Sequence, residues 1–285
     1  MSDDNSTSLV NLGELSKPAN TLIEKISSAI GSVFEPWQIK RIAKAEAEAN
    51  FIKAESEIQI TDLHRRAMHR FVEEEANRQE NMEEITKKSI PLLEEQSDPA
   101  KMEDDWVTNF FDKSRIVSDE DMQALWANVL AGEANKPGSF SRRTVNLLSD
   151  LDKRDAELFQ NLCRFGWVVG EFTPLIFDSQ ASIYNNLGIN FNNLSHLDSL
   201  GLIHFDSLAG FSRTGLPKSF AATYCGQPLQ LEIKEGQENQ LSIGQILLTQ
   251  AGQELTQIVK VPSVQGFYDY VKNQWKSHAP IEKST

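Results

Sequence analysis

Apolar residues in the first hundred positions recur at helical spacing. In NTLIEKISSAIGSVF, Leu22, Ile23, Ile26, Ala29, Ile30, Val33 and Phe34 fall on one side, and Glu24, Lys25, Ser27, Ser28 and Ser32 take the other. That pattern predicts a short amphipathic helix over residues 20–36. Pro36 ends it, because the pyrrolidine ring disfavours helical geometry in Glu35 yet suits the first turn of a new helix. From Trp37 to Ser89 there is neither proline nor glycine, and helix formers dominate. The reading is one long helix within residues 37–96, reaching roughly 75 Å at about 1.5 Å per residue. No small domain is that wide. Part of such a helix must meet a second copy, another protein or a membrane surface. Its first turns mix Ile39, Ile42, Ile52, Ile58 and Ile60 with Lys40, Arg41 and Lys44, and its later turns are charged, with Met68, Phe71, Val72, Met82 and Ile85 as sparse apolar marks. There is no clean leucine heptad, so a broader bundle or oligomer is expected rather than a simple zipper.

Beyond the acidic linker EEQSDPAKMEDD, a helical domain is expected over 104–165, with Trp106, Phe110, Phe111, Met122, Leu125, Trp126, Val129 and Leu130 as its core. Ser118 with Asp119, Glu120 and Asp121 reads as a helix start, AGEANKPGSFS as a turn, and Asp152 as an N-cap. Residues 166–275 change character. ASIYNNLGINFNNLSHLDSLGLIHFDS reads as helix, loop, helix ending at Gly201, then strand. SFAATYCGQPLQLEIKEG reads as strands with a turn at Gly226 to Pro228, and LSIGQILLTQAGQELTQIVKV as a strand running into a helix capped near Thr249. The fold class is therefore mainly α with a small α+β C-terminal module of winged-helix-like order. A mobile N-terminus (1–19) and a tail (276–285) complete the division.

Composition narrows the function classes. With 285 residues and 40% hydrophobic content there is material for a real core. The formal net charge of -13 argues against general nucleic-acid binding, which needs a basic stripe to displace counterions. Cys163 and Cys225 make neither a disulfide framework nor a metal-ligand pair, which fits a reduced compartment. The start MSDDNSTSLV lacks the basic and apolar regions of a signal peptide, and no run approaches the roughly 18 apolar residues of a spanning helix. The expectation is a cytoplasmic protein, with or without peripheral membrane contact.

Three segments carry a family resemblance: EPWQIKRIAKAEAEA (Glu35 to Ala49), DMQALWANVLAGEANKPGSFSRRTVNLLSDLDKRDAELF (Asp121 to Phe159) and LLTQAGQEL (Leu247 to Leu255). In them the sequence resembles an uncharacterised family of bacterial proteins known as a domain of unknown function. The segment Leu125 to Ala131 is also similar to the LWANLLA-type stretch of abortive-infection alpha proteins, with Leu125, Trp126 and Leu130 as the motif core. Together the resemblances imply a phage-defence setting without established enzymatic chemistry, and they supply no catalytic residue.

Leu22, Ile26, Ile30, Val33 and Phe34, followed by Trp37 and the cations Lys40, Arg41 and Lys44, have the parts of an interfacial helix that meets anionic lipid or a second copy. The alternative is an ordinary helix packed on its neighbour. His64 and His69 are five residues apart, on different faces, and fail the four-residue spacing of a zinc pair. Glu73 to Glu75 read as a solvated face, and Arg142 and Arg143 as partners of acidic neighbours. Glu232 and Lys234 with Asp206 imitate a metal-dependent nuclease, a weak coincidence on a hairpin. The would-be recognition helix within Asn185 to Leu200 has no lysine or arginine, which favours a protein-binding or structural role. No catalytic, cofactor or metal residue is assigned. The expected function is a non-enzymatic antiphage effector that oligomerises through its N-terminal helices, answers to a protein partner and acts at a membrane. A cytosolic interaction scaffold is the alternative, and a DNA-binding regulator the third reading.

Overall fold

A computed structural model describes residues 15–31, 61–233 and 240–276. The chain forms two compact units, residues 1–142 and 143–285. The fold is mainly α, with small antiparallel sheets in the second unit.

In the first unit, α1 (Lys17–Ile30) is capped by Ser16, whose side chain accepts the Ala19 N–H, with Pro18 in its first turn. α2 (Asp62–Ser89) comes next, then α3 (Asp104–Ser114) and α4 (Glu120–Asn135). Thr61 is extended (φ -62°, ψ 153°), so α2 begins just after it; the part of the expected helix from Trp37 to residue 60 lies outside the described residues. The reason for this start is local. The Thr61 carbonyl accepts the Arg65 N–H at 3.2 Å, its hydroxyl bonds His64 Nδ1 at 2.6 Å, and Asp62 brings negative charge to the new N-terminus. At 28 residues, α2 is about 42 Å long. It tightens into a 3-10 turn at Ile90–Leu92, where Pro91 has no N–H to offer. α4 is capped by Asp119, one residue beyond the expected Ser118; its carboxylate accepts the N–H groups of Asp121 and Met122. Trp106, Phe110, Phe111 and Trp126 form the centre of this unit, with Phe110 meeting each of the other three rings at a centroid distance of 5.1 Å.

The second unit holds most of the helix pair that the sequence reading grouped with the middle region. α5 (Arg142–Ser149) spans the boundary, and α6 (Lys153–Cys163) starts at the expected cap, Asp152. A hairpin absent from the sequence reading comes next, β1 (Gly166–Val169) and β2 (Glu171–Pro174), turned at Gly170 with φ +79°. α7 (Ser182–Asn185), α8 (Phe191–Ser199) and β3 (Ile203–Phe205) match the expected helix, loop, helix and strand. β4 (Phe211–Thr214), β5 (Ser219–Tyr224), β6 (Gln227–Glu232), β7 (Gln240–Gly244) and β8 (Ile246–Leu248) lead to α9 (Gln250–Thr256), and α10 (Phe267–Gln274) closes the unit. One sheet has the order β2-β1-β5-β6; β3 pairs with β8, and β4 with β7, all antiparallel. The β5–β6 turn is made by Cys225 and Gly226, both at positive φ, one residue ahead of expectation; Pro228 already lies in β6. α10 is held by an aromatic cluster. Trp167 stacks on Tyr224 and meets Trp275 edge-on, and Phe267 meets Phe165, Tyr184 and Tyr224.

Candidate functional site

Along α2, burial changes from one end to the other. At the C-terminal end Ile85, Thr86 and Ser89 are fully buried against α4 and the 3-10 turn beyond α2. A polar clasp fixes that end. Gln123 donates to Asn81 at 3.2 Å and to the Val117 carbonyl at 3.0 Å, and accepts from Lys88 at 2.7 Å, while Asn81 donates to the Arg115 carbonyl at 3.0 Å. The same stripe runs back through Met82, Arg78, Glu75, Phe71, Met68 and His64 at alternating three- and four-residue steps. Towards the N-terminus it emerges into solvent. Leu63 is 66% exposed, Met68 46%, Phe71 59% and Val72 53%. Single exposed apolar residues are ordinary, but Met68, Phe71 and Val72 share one side of the helix within five positions and form a patch, while Leu63 stands apart from Val72 on the other side.

Charges on α2 are ordered as well. His64, Arg65, Arg66, His69 and Arg70 precede the patch centre, and Glu73, Glu74 and Glu75 lie beyond it. Arg70 pairs with Glu74 at 3.3 Å, Arg78 with Glu74 at 3.8 Å and with Glu75, and Arg65 with Asp62. Beside Glu74, Asn77 and Arg78, the α3–α4 turn brings up Arg115 and exposed Ile116 to shape an open cleft of about 370 Å³.

The interfacial residues read from the sequence fare differently. Leu22 and Ile26 are fully buried against α3 and the 3-10 turn Pro99–Lys101, and Lys25 reaches Asp104 at 2.6 Å. This corrects the expectation that Leu22 and Ile26 face lipid or another copy: the apolar side of α1 is covered by its own unit. Ile30 is half-buried, and Val33, Phe34, Trp37, Lys40, Arg41 and Lys44 lie outside the described residues.

Of the resemblance segments, Glu35 to Ala49 lies outside the described residues, and the other two are architectural. Trp126 and Leu130 are fully buried and Leu125 half-buried. Glu133, which the sequence reading passed over, is 3% exposed and accepts the N–H groups of Gly138 at 2.6 Å and Phe140 at 2.9 Å. A lone carboxylate on an apolar helix face ahead of a Pro-Gly turn was the signal for it. In LLTQAGQEL, Thr249 accepts the Gly252 N–H at 3.1 Å and donates to the Gly201 carbonyl at 2.7 Å, and the Leu202 carbonyl oxygen sits 2.1 Å from where a Cβ on Gly252 would lie.

Groups with catalytic potential are dispersed or engaged. Between α6 and α8, an open cleft of about 550 Å³ includes Arg154, Glu157, Asn161 and Asn193. There His196 Nε2 lies 2.7 Å from Asp155 Oδ1, and Asp155 also accepts the Asp152 N–H, so the pair ties α8 to the cap of α6. Asp206 accepts the N–H groups of Leu208 and Ala209, which hold its carboxyl below the usual range. It lies just past β3, whereas Glu232 is on β6 of another sheet, so the two do not share a sheet; Lys234 is outside the described residues. Burial pushes the thiols of Cys163 and Cys225 up, away from thiolate chemistry. Arg142 lies 3.9 Å from Asp105. Among the described residues, no group of three or more His, Cys, Asp or Glu is placed to hold a metal ion, and no helix is long and apolar enough to cross a membrane.

The molecule is thus a mainly helical protein with a small antiparallel β module and an exposed helical face. Residues 65–272 match the family described as Protein of unknown function (DUF2806), and the chain belongs to that family. Neither the curated proteins nor the solved structures contain a match.

Proposed function

We propose that this is a non-enzymatic cytoplasmic assembly protein, in which α2 is the arm that joins copies and the second unit binds a protein partner. The observation that carries this reading is the bare face of α2 around Phe71, set on a helix whose other end is fully packed. Exposed apolar patches of this kind mark association surfaces. We read the second unit as winged-helix-like; the helices α7 and α8 followed by β3, and the antiparallel pair β3–β8 leading into α9, support that reading. Its α8 carries no lysine or arginine for phosphate, and its His196 is paired with Asp155, which supports a protein ligand over DNA. The buried face of α1 supports assembly over membrane action. The antiphage setting implied by Leu125 to Ala131 belongs to the same proposal.

Sedimentation equilibrium of the full chain tests the assembly. Multimers are expected for the wild type, and a shift to monomer for Phe71→Asp with folding stability unchanged within about 0.5 kcal/mol, as for a surface site. A wild-type monomer at every concentration sinks the reading. For the defence setting, phage should plate less efficiently on cells carrying the wild type than on cells carrying Phe71→Asp; equal plating removes that part.

A further inference from the structure

The geometry points to an antiparallel, two-fold symmetric pairing of α2 with α2 of a second copy, centred near Arg70. This rests on the proposed self-assembly and specifies its partner and orientation. Arg65, Met68, Val72 and Glu75 succeed one another at steps of three, four and three residues, so they form one ridge along the helix. All four are open to solvent: the side chains of Arg65 and Glu75 are 53% and 42% exposed, and Met68 and Val72 are 46% and 53%. The ridge is chemically self-complementary on reversal. Arg65 and Glu75 are equidistant from Arg70, as are Met68 and Val72. Running a second copy the other way therefore sets Arg65 level with Glu75 and Met68 level with Val72, twice in each pair. A two-fold interface requires this reciprocity.

The larger charge pattern agrees. An antiparallel pair brings Arg65 of each copy to Glu75 of the other and opposes the helix macrodipoles, while Arg66, Arg70, Glu73 and Glu74 lie on the far side of the helix. A parallel pair in register would set Arg65 against Arg65 and Glu75 against Glu75. The pairs that Arg65 and Glu75 make within their own helix, with Asp62 and Arg78, are surface pairs, and exchanging such pairs costs little. The helix start at Asp62 and the covered region beyond Arg78 bound the overlap at about 24 Å, with Phe71 beside the ridge as the apolar centre.

Cysteine pairing and charge exchange in the full chain test this. In a Cys225→Ser background, oxidation of a mixture of Met68→Cys and Val72→Cys chains is expected to give mixed disulfide dimers, with far less cross-linking of either variant alone. Arg65→Glu and Glu75→Arg should each weaken association on the order of tenfold, and the double variant R65E/E75R should restore it. Cross-linking of each variant with itself but not in the mixture, or an Arg65→Glu chain that associates like the wild type, overturns the antiparallel pairing while self-assembly stands. A wild-type chain that stays monomeric overturns both.

Discussion

Glu133 holds the backbone of Phe140, accepting its N–H at 2.9 Å through one carboxylate oxygen while the other accepts that of Gly138 at 2.6 Å. The turn so closed sets the Phe140 carbonyl 2.6 Å from the Trp106 indole nitrogen, which donates to it from the centre of the core. Glu133 is 3% exposed, so its truncation strands two N–H groups without compensating water. Glu133→Ala is expected to lower stability by about 2–4 kcal/mol in urea titration, and Glu133→Gln by less, since the amide oxygen still accepts one bond.

The packing of α1 has its own test. Leu22 is fully buried, and Leu22→Ala should cost about 2–4 kcal/mol through the cavity it leaves. Lys25→Ala should cost less than about 1 kcal/mol, because its partner Asp104 is 70% exposed and screened by water. Hydrogen exchange should find the amides of residues 21–30 protected in the wild type and faster in Leu22→Ala. A helix free to lie on lipid would show neither the stability loss nor the protection.

Helices α3, α4 and α6 were legible because Trp106, Phe110, Trp126, Leu130, Phe159 and Leu162 repeat at helical spacing and real caps stand at Asp119 and Asp152. The β1–β2 hairpin was not, since strands of four residues place only two side chains on each face, too few for a period to show. The helix start at Thr61 has no proline or glycine to mark it; a threonine that bonds His64 and an aspartate in the first turn make it. Met68, Phe71 and Val72 were visible as apolar marks. That they are bare depends on where α3 and α4 stop covering α2, which is a tertiary fact. Leu22 and Ile26 show the converse, a face with interfacial chemistry that the fold had already covered.

Gly252 brings the start of α9 tightly against the backbone of Leu202, just ahead of β3. A Cβ there would lie 2.1 Å from the Leu202 carbonyl oxygen, a backbone atom that cannot swing aside. The same carbonyl accepts the Thr249 N–H at 3.1 Å, so pushing α9 away also loosens its cap. Gly252→Ala is expected to destabilise by about 1–3 kcal/mol, read as a lowered urea midpoint. Gly226→Ala makes a useful contrast, because no atom lies near its Cβ and only the strain of φ +83° should register.

Two buried acids give the second unit a defined alkaline limit. Cys163 is 1% exposed and Tyr184 fully buried, and desolvation pushes both well above their ordinary values; for Tyr184 the N–H of Phe177 opposes the shift only in part. The native state therefore keeps protons that the unfolded chain releases once the pH passes about 8.5 for the thiol and about 10 for the phenol. With fewer protons on the unfolded state, stability falls as pH rises, by up to about 1.4 kcal/mol per pH unit for each group. Below about pH 8 neither group contributes a slope. Urea titrations of the wild type between about pH 9 and 10 should show a decline that Cys163→Ala flattens. Tyr184→Phe should flatten the steeper part above about pH 10, after an initial loss because its hydroxyl donates to the Leu175 carbonyl at 3.0 Å. Thiol reagents applied to the native protein at pH 8 should modify Cys225, which is exposed at its turn, and leave Cys163 unmodified until the unit unfolds.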